Sequence, residues 1–98
     1  MVGNYIPISS WAEDDKPREK MLLKGVAALS TNELLAILIR SGSGGESALD
    51  LSRRILTDAS NDLNVLARLS VSDFMNRYKG VGMAKAASII AAMELGRR

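Results

Sequence analysis

The sequence contains no cysteine and no histidine. Their absence removes thiol nucleophiles, imidazole bases and the usual zinc ligands, and it excludes disulfide stapling. That composition is compatible with a reducing cytoplasm, which is the expected location. Aromatic residues are confined to Tyr5, Trp11, Phe74 and Tyr78. A core poor in aromatics and rich in Ala, Leu, Ile and Met suits helices better than sheets. Long apolar runs are missing too. The stretches Leu34–Ile39 and Ile89–Met93 are far too short to span a bilayer. Residues 1–10 lack the basic patch and apolar run of a signal peptide. No period-two alternation lasts long enough to mark a strand.

What is present fits one small domain. A chain of 98 residues that is 47% hydrophobic can bury one core, not two. Residues 1–14 read as an arm: Pro7 biases Ile6 away from helix, and Trp11 is the expected anchor. Asp15 is an N-cap candidate with Pro17 in the first turn, and the helix through Pro17–Leu23 ends at Gly25. Ser30 and Glu33 form a capping-box pattern ahead of Leu34, Leu35, Leu38 and Ile39. The turn Gly42-Ser43-Gly44-Gly45 follows, and the next helix begins near Ser47. Asn61-Asp62 caps a short helix with Leu63, Leu66 and Leu69. Ser70 and Asp73 give a weaker cap signal before Phe74 and Tyr78. Lys79-Gly80-Val81-Gly82 is a turn, and the last helix runs from about Met83 to Leu95 with a stripe of Ala86, Ile89, Ile90 and Met93. The expected fold is all-α, with about five or six helices in residues 15–98.

Two units repeat within this pattern. With an offset of 38, Gly42-Ser43-Gly44 overlies Gly80-Val81-Gly82. Ala48 then falls on Ala86, Leu51 on Ile89 and Ile55 on Met93. Each unit is a capped helix, a Gly-x-Gly turn and a second helix, so the reading is of tandem helix-hairpin-helix units. The first is degenerate. Ser43 stands where the second unit has the apolar plug Val81, and Glu46 puts a negative charge near the following helix start.

The second turn has the chemistry of a phosphate site. Gly80 and Gly82 allow a tight turn and leave the main chain open to close approach. The helix that begins at once exposes unpaired N–H groups and the positive end of its dipole. Lys79 and Lys85 flank it and can add charge-assisted contacts. Residues 69–98 hold five basic and two acidic side chains, against eight and nine in residues 1–68. The positive excess therefore lies around this turn, the sign a phosphate surface needs. The candidate DNA-binding residues are Lys79, Gly80, Val81, Gly82 and Lys85. Contacts of this kind go to the backbone and carry no sequence information. A compact connector between packed helices accounts for the same turn without any ligand.

Other clusters point to structure rather than chemistry. Arg18, Glu19 and Lys20 read as a salt-bridge group that fixes the arm. Glu13, Asp14 and Asp15 read as capping or solvated acids, because adjacent carboxylates without a ligand-spaced loop do not make a cation site. Arg53-Arg54 reads as exposed charge. No spacing pairs a nucleophile with a base. No catalytic residue, metal or cofactor is expected.

Several segments in order, Pro17-Arg18-Glu19-Lys20, Leu22-Leu23, Gly25, Leu29-Ser30, Glu33-Leu34-Leu35-Ala36, Arg40-Ser41-Gly42, Lys79-Gly80-Val81-Gly82, Lys85-Ala86 and Glu94–Arg98, closely resemble the N-terminal region of bacterial RadC-type (UPF0758-like) proteins. The first and the Glu33–Ala36 segments together are fairly specific; the glycine turn alone is not. The resemblance implies a helix-hairpin-helix domain, followed in the family by a domain similar to zinc-dependent deubiquitinating peptidases of the JAB/MPN type. The family has been linked to DNA repair. On that resemblance, Arg98 falls about where the second domain would begin, and the alanine- and methionine-rich outer face of the last helix is where it would dock. Two roles follow: a sequence-independent DNA-binding module, or a scaffold that docks the second domain without touching DNA.

Overall fold

The computed structural model describes residues 15–42 and 45–98, so the arm, Trp11 and Ser43 lie outside the described residues. Among the described residues six α-helices follow one another: α1 Lys16–Lys24, α2 Thr31–Ile39, α3 Ala48–Asp58, α4 Leu63–Ala67, α5 Val71–Arg77 and α6 Met83–Arg97. A 3-10 turn, Val26–Ala28, joins α1 to α2.

The helix starts are where short-range chemistry puts them. Ser30 and Ser70 each accept from the backbone N–H three residues on, while Glu33 and Asp73 reach back to the capping N–H, so both are complete capping boxes. Ser47 and Asp62 cap α3 and α4 in the same way with a single side-chain bond. Asn61 does not cap. It sits at φ 58 and donates its N–H to the Leu56 carbonyl, closing the end of α3. Asp15 occupies the N-cap of α1 but makes no capping bond; its carboxylate is taken by Arg18. Gly25, at φ 88, ends α1.

The helices pack as two pairs around one core. α2 lies on α3, α5 on α6, and α2 and α4 both contact α6, while α1 rests on α2. Leu35, Ile39, Leu51, Ile55, Leu66, Phe74 and Ile89 are buried at the centre. Two of the three pairs related by the 38-residue offset share their fate: Ala48 and Ala86 are both fully buried, as are Leu51 and Ile89, while in the third Ile55 is buried and Met93 only partly so. Leu34, on the apolar face of α2, and Leu63, at the start of α4, are not in the core. Both are exposed, because α2 and α4 turn those positions to the edge of the core rather than into it. Ser52 is the buried polar side chain of α3. It is satisfied by the Asn32 side chain at 2.8 Å, which ties α3 to the first turn of α2.

The salt-bridge group on α1 is split. Arg18 pairs within its own helix region with Asp15, whereas Lys20 reaches both oxygens of Glu33 at 3.1 and 3.2 Å and so anchors α1 to the α2 capping box. Arg53 pairs with Asp50 on the surface of α3.

Candidate nucleic-acid interface

The α5–α6 turn is built from the inside outwards. Tyr78 closes α5, its N–H bonded to the Phe74 carbonyl at 3.0 Å. Gly80 takes φ 89, a region costly for a residue with a side chain. The Val81 N–H then returns to the Tyr78 carbonyl at 3.0 Å, and the Val81 side chain, 3% exposed, plugs the core. Val81 therefore offers a ligand only its backbone. Gly82 is the N-cap of α6.

Gly82 differs from Gly80 beside it, which needs a positive φ. Its φ of −81° and ψ of −179° match the backbones of Ser30, Ser47 and Ser70 at their own N-caps. Any residue adopts that conformation. A Cβ placed there would meet nothing within 4 Å. Yet α6, the longest helix, begins without a side-chain cap, which leaves its first N–H groups for water or a ligand. Gly42, in the α2–α3 turn, is the opposite case. A Cβ there would fall 1.7 Å from the Glu46 carbonyl oxygen, so packing requires glycine.

The charged residues around the turns are arranged differently from their order in sequence. Lys79 is exposed and has no hydrogen bond or ion pair among the described residues. Lys85 instead reaches across to the other turn, where its Nζ donates to the Ser41 carbonyl at 2.7 Å. Ser41 lies just beyond the Arg40 C-cap of α2, near the negative end of the helix dipole, where a cation is favoured. Glu46 does not stand as a free negative charge. Arg54 holds it through two bonds of 3.0 and 3.2 Å, which pushes the guanidinium pKa up. The same guanidinium lies 5.3 Å above the Tyr78 ring, and the Tyr78 hydroxyl donates to Asp58 at 2.8 Å. Burial and then the Asp58 carboxylate push the Tyr78 pKa up to about 12. Arg97 and Arg98 both bind Glu94, so part of the C-terminal positive excess is neutralised.

One feature escaped sequence reasoning. Arg40, which ends α2, sits at φ 76 and ψ −50, and the Ser41 N–H bonds back to the Ile39 carbonyl at 2.9 Å. That is a γ-turn of the rare, strained hand. No local sequence signal marks it, since arginine is not a residue that favours positive φ. Among the described residues no group of His, Cys, Asp and Glu could hold a metal ion, and no helix is long and apolar enough to cross a membrane.

The family profile described as UPF0758 N-terminal matches residues 8–87. The chain belongs to the UPF0758 family. A UPF0758 protein of Flavobacterium johnsoniae is 59% identical over the whole chain, which covers 42% of that relative. UPF0758 proteins of Trichlorobacter lovleyi and Desulfitobacterium hafniense are each 47% identical, with 93% and 97% of this chain aligned to 40% and 41% of theirs. The chain thus spans about two fifths of the length of these UPF0758 relatives. No solved structure matches.

Proposed function

We propose that this UPF0758 domain is a sequence-independent DNA-binding module, built from tandem helix-hairpin-helix units, that grips a backbone phosphate at the α5–α6 turn. Gly82 carries the reading. Neither its backbone conformation nor its packing calls for glycine, and a serine there would cap α6 as serine caps α2, α3 and α5. Leaving the position bare keeps the α6 N–H groups accessible to an outside oxygen, and the dipole favours an anion there. Lys79 supplies a free cation beside it. The contact is to phosphate, so affinity falls with salt and does not depend on sequence. No catalytic step is assigned to these residues.

Titration of a fluorescent duplex and of a branched DNA at low and moderate salt tests this. Binding at low salt that is lost in folded Gly82→Asp is the expected result. No binding at low salt, or binding indifferent to that substitution, overturns it.

A second reading has its own observation. Leu34, Leu35, Leu38, Leu63 and Met93 line a nearly wholly apolar groove between α2, α4 and α6. Leu95 is exposed further along α6. Such a groove suits docking of the remaining polypeptide that longer UPF0758 relatives possess. Co-purification of this domain with that separately expressed part of a relative would support it. Absence of any complex, with clear DNA binding, would count against it.

A further inference from the structure

The α2–α3 turn and the start of α6 enclose a groove of about 350 Å³ lined by Leu38, Arg40, Ser41, Ala84, Lys85 and Ser88. Each side contributes one apolar residue, Leu38 or Ala84, and polar groups beside it. The Arg40 guanidinium brings five N–H donors and makes no hydrogen bond or ion pair among the described residues; only the Arg40 backbone N–H is engaged, by the Ala36 carbonyl. Lys85 spends one of its three donors on Ser41 and keeps two. Ser88, exposed on the next turn of α6, adds a hydroxyl. No carboxylate lines the groove. Two cations and a hydroxyl converge on one concavity with nothing of opposite charge to answer them.

The backbone of Arg40 makes the same point independently. A non-glycine residue at φ 76 and ψ −50 is strained, and glycine would relieve it. Strain of this kind persists where the surroundings hold it, and it clusters at ligand clamps. Here it turns α2 sharply at its end and sets an arginine beside Lys85. Ala84 belongs both to this groove and to the first turn of α6. A strand whose phosphate meets the α6 N–H groups at Gly82 therefore passes next to the groove. Ser88 lies about one helical turn, 5.4 Å, beyond Ala84.

We infer that Arg40, Lys85 and Ser88 bind a second phosphodiester of the same DNA strand, so that the first turn takes part in binding through α2 rather than through its glycines. The inference rests on the DNA-binding reading above and adds a contact that reading does not contain. Arg40 is the specific element: its guanidinium matches a phosphate with two parallel bonds. The degenerate first unit would then have lost a main-chain site and kept a side-chain one.

Salt dependence of duplex binding separates the possibilities. Each phosphate contact adds about 0.9 to the slope of log K against log salt. Raising salt from about 50 to about 200 mM should therefore weaken the wild-type chain about 3.5-fold more than it weakens Arg40→Gln. Arg40→Gly should show the same shallower slope while melting at a higher temperature, a combination that loss of a merely structural contact would not produce. Unchanged slopes in both variants, with binding still abolished by Gly82→Asp, overturn this inference and leave the α6 site standing. A wild-type chain that binds no DNA at low salt overturns both.

Discussion

Replacing Gly82 by aspartate should make the domain more stable and worse at its proposed task. The position already has the extended backbone of an N-cap, and a Cβ meets nothing within 4 Å. A side-chain acceptor there is worth a few tenths of a kcal/mol over glycine, about 0.3 kcal/mol being a fair floor. A carboxylate at the positive end of the dipole adds about 0.3–1 kcal/mol. Removing glycine's freedom in the unfolded chain adds about 0.4–1 kcal/mol. The sum is about 1–2 kcal/mol, which in a domain of this size raises Tm by at least about 4 °C. Binding goes the other way. Two like charges 4 Å apart cost about 1 kcal/mol in bulk water and about 4 at the effective dielectric of a protein surface. Affinity for duplex DNA should fall tenfold or more, each factor of ten being about 1.4 kcal/mol. Thermal melts followed by circular dichroism, and fluorescence titration of the same preparations, give both numbers. A Gly82→Asp chain that melts lower than wild type would show that the fold needs glycine here, and the reasoning from its bareness would collapse.

Gly42→Ala should be among the most damaging single methyl additions, because the new carbon overlaps the Glu46 carbonyl; a loss of more than about 3 kcal/mol in urea unfolding is expected, beyond the usual 1–3 for overpacking. The Tyr78 phenol, raised to about 12 by burial and Asp58, stabilises the fold fully below its unfolded value of 10 and loses that contribution as pH rises towards 12. Alkaline melts should show this decline in the wild type and a flatter one in Tyr78→Phe. Glu33 is held below its ordinary 4.5, first by the Ser30 backbone bond and then, against burial, by Lys20. Its contribution is present above pH 4.5 and lost as pH falls through the lowered value, so Glu33→Gln should narrow the gap between melts at neutral and acid pH.

The helix inventory was legible because its signals are local. A serine with an acid three residues on, a glycine after the last apolar position, and a stripe at helical spacing are each confined to one or two turns, and Ser30, Ser70, Gly25 and the Ala86–Ile89 stripe all appear where they were expected. The site was legible only in part. Val81 as a plug and Gly80 as the turn residue follow from the turn itself. Lys85 was placed on the right helix but not on its partner, since Ser41 is 44 residues away. In sequence Glu46 is a negative charge near a helix start; its partner, Arg54, lies two turns on and faces it only once the helix has formed. The exposure of Leu34 and Leu63 depends on how α2 and α4 sit against α6, which no pattern within either helix specifies.

The chain of contacts from Glu46 through Arg54 to Tyr78, together with the bond from Lys85 to Ser41, joins the two turns at two separate points. If the proposed contacts hold, a ligand touching Arg40 and Gly82 would meet two ends of one network of described contacts rather than two independent loops. In that case part of the ordering is done by bonds formed on folding, which lessens what binding must order. The same contacts set a limit: a substitution at Arg54 or Lys85 removes a tie between the turns as well as a local interaction.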